Sequence, residues 1–404
     1  MRIAYIFTTF PKLSEQFYLR EVLELQRQGV ELELYSVFGG ADESEAGPVT
    51  RMHFADWMQL AVELLYWLLR RPWVVLRTLL KLLPIGYGSW TNYGENALGI
   101  AFGLRFARKF RNTGYTSVHA TWATAPGMVV YLTDQLTGIG YTMEAHAYDV
   151  FRDGGDAFLE AKLAGARAIR SSTEVTAEAL RQRLNCVSAH SVKDMPTVAC
   201  IRRGLTGIPG FQAPHPLSLG QRLRVITVGR LIEKKGYSMQ FEIYKIWQGQ
   251  GIDFEVTLVG EGPLYKGLKA RLAELGLAQS VKLVGKLEYA QVTELYRQSD
   301  LFMFTGVVSS SGDRDGFPNV IGEAMAHSLP VFTTDVSGTT EGIPHGIRGT
   351  VIDLAQPRQA ADQIIAAMRD SAQLEQMTHA AYEWVVSDFQ VEGNVRSLGK
   401  ALWG

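Results

Sequence analysis

Asp315 and Glu323 stand eight positions apart. Between them lie Gly316, Phe317, Pro318 and Asn319, and the helix-forming run Glu323-Ala324-Met325-Ala326 follows. Proline is favoured in a first helical turn, where its missing N–H would have no partner anyway. The segment therefore reads as a loop entering a helix, with Asp315 before the start and Glu323 more than a turn inside. A helix start offers unpaired N–H groups and positive potential to an anion. Carboxylates on either side can grip sugar hydroxyls, so the combination suits a nucleotide-sugar pocket. Taken by itself, a glycine, a proline and a solvated acid also make an ordinary helix start. The neighbours decide.

Gly229-Arg230-Leu231-Ile232-Glu233-Lys234-Lys235-Gly236 follows an apolar strand pattern. A glycine lets backbone approach a ligand; Arg230 offers a fork to phosphate oxygens and Lys235 a point charge. Together they can neutralise a diphosphate leaving group, although a basic loop is also a common surface feature. Gly260-Glu261-Gly262-Pro263-Leu264 is a second turn between a strand and a helix, weak evidence alone. Gly285, Lys286 and Leu287 end a further strand, where backbone groups can meet a nucleobase. In the first half, Ser14 suits a helix N-cap and Glu15 its first turn, on a loop that also suits an acceptor. His146 closes a strand, with Asp149 placed to orient it or to bind a hydroxyl. His119 and Trp122 end the neighbouring strand. A lone histidine is more often a structural hydrogen-bonding group than a catalyst.

The elements that must position these groups alternate in type. Strand patterns occur at 2–7, 31–38, 117–122, 141–146, 168–172 and 197–201, then at 224–229, 254–260, 281–284, 301–305, 331–334 and 350–352. Helical patterns lie at 15–28, 127–136, 264–275 and 293–298. Such alternation predicts α/β architecture with parallel sheets covered by helices. A Gly/Pro-rich stretch at 204–216 marks a hinge, and 404 residues exceed one compact core. The expectation is two Rossmann-like doubly wound domains facing a cleft: an acceptor domain at 1–206, a nucleotide-sugar domain at 207–385, and a helix at 386–404 crossing back to the first.

Net charge is −1, which gives no footprint for wholesale nucleic-acid binding. Cys186 and Cys200 are the two cysteines; they form neither a metal spacing nor a disulfide framework, which fits a reducing, cytoplasmic setting. Positions 57–83 are rich in Leu and Trp but broken by Arg70-Arg71-Pro72, so no apolar run of about 20 residues exists to span a bilayer. They read as two short amphipathic helices. Such stripes usually pack on their own domain. The sharper reading is peripheral contact with the anionic inner face of the plasma membrane, with Trp67, Trp73 and the leucines toward lipid and Arg70, Arg71, Arg77 and Lys81 toward headgroups.

The Gly-Arg-Leu…Lys-Gly element at 229–236, the turn at 260–264 and the acid-x7-acid segment followed by Glu323-Ala324-Met325-Ala326 resemble the retaining family-4 glycosyltransferases of GT-B fold. The stretches Phe10-Pro11-Lys12-Leu13-Ser14-Glu15, His146-Ala147-Tyr148-Asp149 and Gly312-Asp313-Arg314-Asp315-Gly316 are similar to exopolysaccharide enzymes of the colanic-acid type. The resemblance implies that Arg230 and Lys235 hold the donor diphosphate and that Glu323 binds the ribose. It places Asp315 on the transferred hexose, and the backbone from Gly316 to Asn319 beside sugar and phosphate. His146 would be the active-site histidine. It implies a UDP- or GDP-linked sugar as donor, a glycan or polyprenyl-linked saccharide as acceptor, no separate cofactor and no metal. Three departures stand out. Asp315 replaces a glutamate, His327-Ser328 stands where the family has a residue followed by glycine, and Thr121 replaces a histidine. A sugar-nucleotide epimerase of the same layout, a glycoside hydrolase and a non-catalytic glycan-binding protein are the competing readings.

Overall fold

Short strands, most of them buried on both faces, set the architecture. Arg2–Phe7 (β1) is buried at every position after its first, and Ser117–Ala120 is buried throughout, as expected of parallel strands covered by helices on both sides. The computed structural model describes residues 1–12, 15–188 and 195–404. They divide into two units: Met1–Gly204 with Val391–Gly404, and Leu205–Gln390. The expected breaks were at 206 and 385.

The first unit holds β1, β2 (Glu31–Ser36), β3 (Glu43–Ser44), β4 (Gly47–Arg51), β5 (Ser117–Ala120), β6 (Tyr141–Glu144), β7 (Ala168–Ser171) and β8 (Thr197–Cys200). They form one sheet in the order β3-β4-β2-β1-β5-β6-β7-β8. The pairs are parallel except β3 with β4. These last two strands had no forecast; they are short and carry no apolar run. A further surprise is the helix Trp90–Thr113. Two of its glycines serve packing: a Cβ on Gly99 would lie 2.5 Å from the Ala125 carbonyl oxygen of the helix Ala125–Thr137, and one on Gly103 would lie 3.2 Å from the Leu132 side chain.

The second unit holds β9 (Leu223–Val228), β10 (Phe254–Val259), β11 (Val281–Gly285), β12 (Leu301–Phe304), β13 (Val331–Thr334) and β14 (Thr350–Ile352). Their order is β11-β10-β9-β12-β13-β14, with parallel pairing. This is the doubly wound dinucleotide-binding order, and its direction reverses between β9 and β12. Ligands of such sheets bind beyond the carboxyl ends of the strands at that reversal, which here means the loops after Val228 and Phe304.

Helix Val391–Trp403 belongs to the first unit although it follows the second. Val391 and Val395 pack with Ile3, Tyr5 and Val22, and Leu398 and Leu402 with Ala168 and Ile201. The Trp403 indole donates to Thr142 Oγ1 at 3.0 Å. Where the chain enters and leaves the second unit, the Leu205 N–H donates to the Phe389 carbonyl at 2.7 Å, and Leu205 bridges to Gln390.

The helices Phe54–Arg70 and Pro72–Leu80 form as expected, but Trp67 does not face outward. It is 1% exposed and packs with Val75, Ile100 and Leu104. Trp73, at 74% exposure, does face solvent. No described helix is long and apolar enough to cross a membrane.

Candidate functional site

In the second unit the loop after β9 carries Gly229, Arg230, Lys234 and Lys235, and the loop after β12 carries Asp313, Arg314 and Asp315. The two loops meet. Lys235 Nζ donates to Asp315 Oδ2 at 2.7 Å, and Lys234 Nζ lies 3.4 Å from Asp315 Oδ1 and 3.0 Å from Asp313. Burial pushes the Asp315 carboxyl upward, but Lys235 and then Lys234 outweigh it and hold the group below its ordinary value. Arg230 is exposed. The helix Asn319–Ala326 follows directly, and no side chain caps it. Its first N–H groups are therefore available to an anion.

Pro318 sits at the cap position, one residue earlier than its expected place in the first turn. Phe317 turns away from the loop into the core, its ring 5.3 Å from Trp384 and 5.5 Å from Phe389. Of Phe317, only the backbone is left to serve a ligand. Glu323 is 8% exposed, with the Tyr296 hydroxyl 3.5 Å from its Oε2. Ser328 adopts a left-handed φ of 57°, the conformation glycine takes most easily. Its hydroxyl accepts from the Gln212 N–H at 3.1 Å.

Two glycines keep these loops close. A Cβ on Gly236 would lie 2.1 Å from the Thr305 carbonyl oxygen, and one on Gly260 would lie 1.9 Å from that of Gly229. The turn at 260–264 thus braces the Arg230 loop: Leu231 N–H donates to the Glu261 carbonyl at 2.9 Å. Gly285 supports it in turn, its carbonyl accepting from the Gly260 N–H at 2.8 Å. Lys286 is exposed and Leu287 half-buried beside it.

In the first unit a buried charge network that sequence reasoning missed joins Glu21 of the helix Gln16–Arg27, Glu144 of β6, Arg170 of β7 and Arg203 after β8. Arg170 reaches Glu21 at 2.6 Å and Glu144 at 2.9 Å. Arg203 reaches Glu21 at 2.7 Å and also pairs with Glu144. Burial opposes the charge on Glu144, but Arg203 and then Arg170 overcome it and hold the carboxyl well below its usual range. Arg170 was the signal available in the sequence, a guanidinium inside a strand with every residue buried. His146 Nε2 donates to Glu144 Oε2 at 3.0 Å, which fixes Nδ1 as an acceptor. That Nδ1 is buried and has no partner among the described residues.

Asp149 and His119 are corrections. The Asp149 carboxylate is 1% exposed and is consumed by two backbone donors, Ala123 at 3.0 Å and His146 at 2.8 Å. His119 is fully buried, bonded to Thr142 Oγ1 at 2.9 Å and flanked by Trp403 at 5.4 Å. Both build the wall behind His146 instead of meeting an acceptor. Glu15 is ion-paired with Lys12, and Ser14 lies outside the described residues.

Burial lowers the His146 imidazole below its ordinary value, with Arg203 and Arg170 adding to the effect and Glu144 opposing it. The unfolded chain therefore takes up this proton first, and the native state loses stability as pH falls below about 6.5. Above that value His146 contributes no slope. His327 shifts the same way through burial in the second unit. The thermal midpoint should fall as the pH drops below about 6.5, and His146→Gln should flatten that slope for the first unit. An unchanged slope in the variant would refute the assignment.

With this geometry established, relatives can be compared. Residues 214–384 match the family described as "Glycosyl transferases group 1". The amylovoran biosynthesis glycosyltransferase AmsK of Erwinia amylovora is 31% identical over 185 residues, 46% of each chain. A colanic acid biosynthesis glycosyltransferase, WcaL of Escherichia coli, is 29% identical over 192 residues, 47% of each. The alignments thus span about half the length of these curated relatives. Among solved structures, Anabaena HepE in complex with UDP has a TM-score of 0.69 at 16% identity, covering 100% of this chain and 99% of its own. The lipopolysaccharide outer core galactosyltransferase WaaB has a TM-score of 0.65 at 14% identity, covering 100% and 99%. These likenesses give the fold: two parallel-sheet α/β units of GT-B type. Lys235, Asp315 and Glu323 all lie inside the residues matched by the group 1 family.

Proposed function

We propose that the chain is a retaining glycosyltransferase of cell-surface polysaccharide assembly. It moves a hexose from a UDP- or GDP-linked donor to a glycan or polyprenyl-linked acceptor. The observation that carries this reading is the meeting of Lys235 with Asp315 where the second sheet reverses direction, beside an uncapped helix start. A diphosphate placed there meets two lysines, the exposed Arg230 and free backbone N–H groups. Stabilising the departing charge is the largest electrostatic task in such a transfer, and these cations perform it without a metal. Relatives named for amylovoran and colanic acid biosynthesis support the polysaccharide role. Another relative is named as a GDP-mannose-dependent mannosyltransferase of Mycobacterium tuberculosis, and HepE was solved with UDP-glucose.

In the proposed step the bond from the anomeric carbon to the β-phosphate oxygen breaks and a bond to the acceptor oxygen forms on the same face. The acceptor proton passes to the departing phosphate. Lys235 and Arg230 hold that phosphate, and Asp315 meets sugar hydroxyls while orienting Lys235.

A thermal-shift panel of UDP, GDP, ADP and dTDP sugars tests the reading, because a ligand of the native state raises its melting point. Failure of every nucleotide would overturn it. Glu323→Gln should weaken the preferred nucleotide by about tenfold to a hundredfold, the range of a charge-assisted hydrogen bond. The variant should also bind ribose and 2′,3′-dideoxyribose nucleotides nearly alike. If the full ribose preference survives in Glu323→Gln, that residue does not bind the ribose.

A further inference from the structure

The helices Phe54–Arg70 and Pro72–Leu80 are apolar on two opposite faces. One face belongs to the core: Leu60, Leu64, Trp67, Leu68, Val75 and Leu79 pack with Ile100, Leu104 and Met128. The other faces solvent. Phe54, Met58, Val62, Leu65 and Leu69 recur at helical spacing and are 81, 69, 62, 59 and 78% exposed. Trp73, Leu76 and Leu80 continue the stripe on the second helix, and Ile85 and Trp90 extend it beyond. A surface helix of a water-soluble unit normally shows polar groups on its outer side, and a contiguous apolar surface of this kind marks an interaction site.

Charge identifies the occupant. Positions 54–90 contain two acids, Asp56 and Glu63. Both turn inward and are neutralised, Asp56 by Arg105 at 2.8 Å and Glu63 by Arg108 at 2.8 Å. Arg70, Arg71 and Arg77 are exposed among the apolar side chains. Lys81 is turned back onto the Phe158 ring, 3.6 Å from its centroid, and takes no part. The outer side of these two helices is therefore apolar and basic, with no acidic side chain from positions 54–90 on it. That is the pattern of helices lying in the plane of a bilayer, apolar side chains among the acyl chains and arginines at anionic headgroups. We propose that these two helices dock the first unit onto an anionic membrane surface, lying on it without crossing it. The inference draws on no assumption about glycosyl transfer, and its test needs no sugar donor.

The test is co-sedimentation of the full chain with phosphatidylcholine vesicles and with vesicles of equal phosphatidylcholine and phosphatidylglycerol. The protein should partition to the anionic vesicles and release in high salt. Replacing Leu65, Leu69 and Trp73 together with Ser should reduce partitioning on the order of tenfold or more. These side chains are exposed, so the thermal midpoint should stay unchanged and show that the variant is folded. Replacing Arg70, Arg71 and Arg77 together with Glu should abolish the preference for anionic over neutral vesicles. Wild-type protein that ignores anionic vesicles, or a folded Ser variant that binds them equally, overturns the proposal. So does a wild-type dimer that the Ser variant converts to monomer with no vesicle binding, because the surface would then belong to a second copy.

Discussion

Lys235→Ala should lower kcat/KM for the preferred sugar nucleotide by on the order of a hundredfold to a thousandfold, the effect of removing one donor aimed at developing charge. Lys235 is positioned by Asp315 at 2.7 Å and by the Phe304 ring, whose centroid is 4.9 Å away. Its loss leaves Asp315 with Lys234 at 3.4 Å, so the fold should hold and the defect should be chemical. Lys235→Arg keeps the charge but changes a point donor into a planar fork, and should restore part of the rate. Asp315→Ala separates two roles. If Asp315 only orients Lys235, nucleotide binding should change little while turnover falls; if it also grips the sugar, the sugar nucleotide should lose its advantage over the free diphosphate. A folded Lys235→Ala protein turning over at the normal rate would remove the basis of the proposed reaction.

Arg170→Met should cost the first unit about 3–5 kcal/mol, the penalty for stranding a buried charge partner. Two carboxylates, Glu21 and Glu144, would be left to share Arg203. Two carbonyls, those of Ile201 and Arg202, would lose donors at 2.8 and 3.0 Å. The melting transition of that unit should fall on the order of 10 °C, while nucleotide affinity in the second unit stays put. A double variant, Arg170→Met with Glu21→Gln, should recover much of the loss because the excess charge is gone. If the single variant melts with the wild type, the network carries little of the stability assigned to it.

The strands were legible because a parallel sheet covered on both sides demands unbroken apolar runs, as in Leu301–Phe304. The two loops that meet were legible one at a time, as a glycine and two lysines after an apolar strand run and as an acid just before a helix start; their pairing, 80 positions apart, was not. The first unit's charge network was not. Glu21 and Arg170 are 149 positions apart, and Glu21 and Arg203 are 182 apart, so no local pattern joins them. The opposite fates of Trp67 and Trp73 were illegible for a related reason. Both lie on apolar helices, and only the identity of the packing partners separates inner from outer. Helix Trp90–Thr113 carries glycines, which a helix interior disfavours, and Gly99 and Gly103 are explained only by close approach to another helix.

The first unit closes on itself only with Val391–Trp403, a segment separated from the rest of that unit by the 205–390 excursion. On the ribosome, everything in that excursion is polymerised before Val391, Val395, Leu398 and Leu402 emerge to cover Ile3, Ala168 and Ile201. The first unit is thus finished only after the second has been made, and the apolar residues that the last helix covers stay exposed until then. A nascent chain halted near 390 should carry a complete second unit together with an incomplete first unit that chaperones recognise.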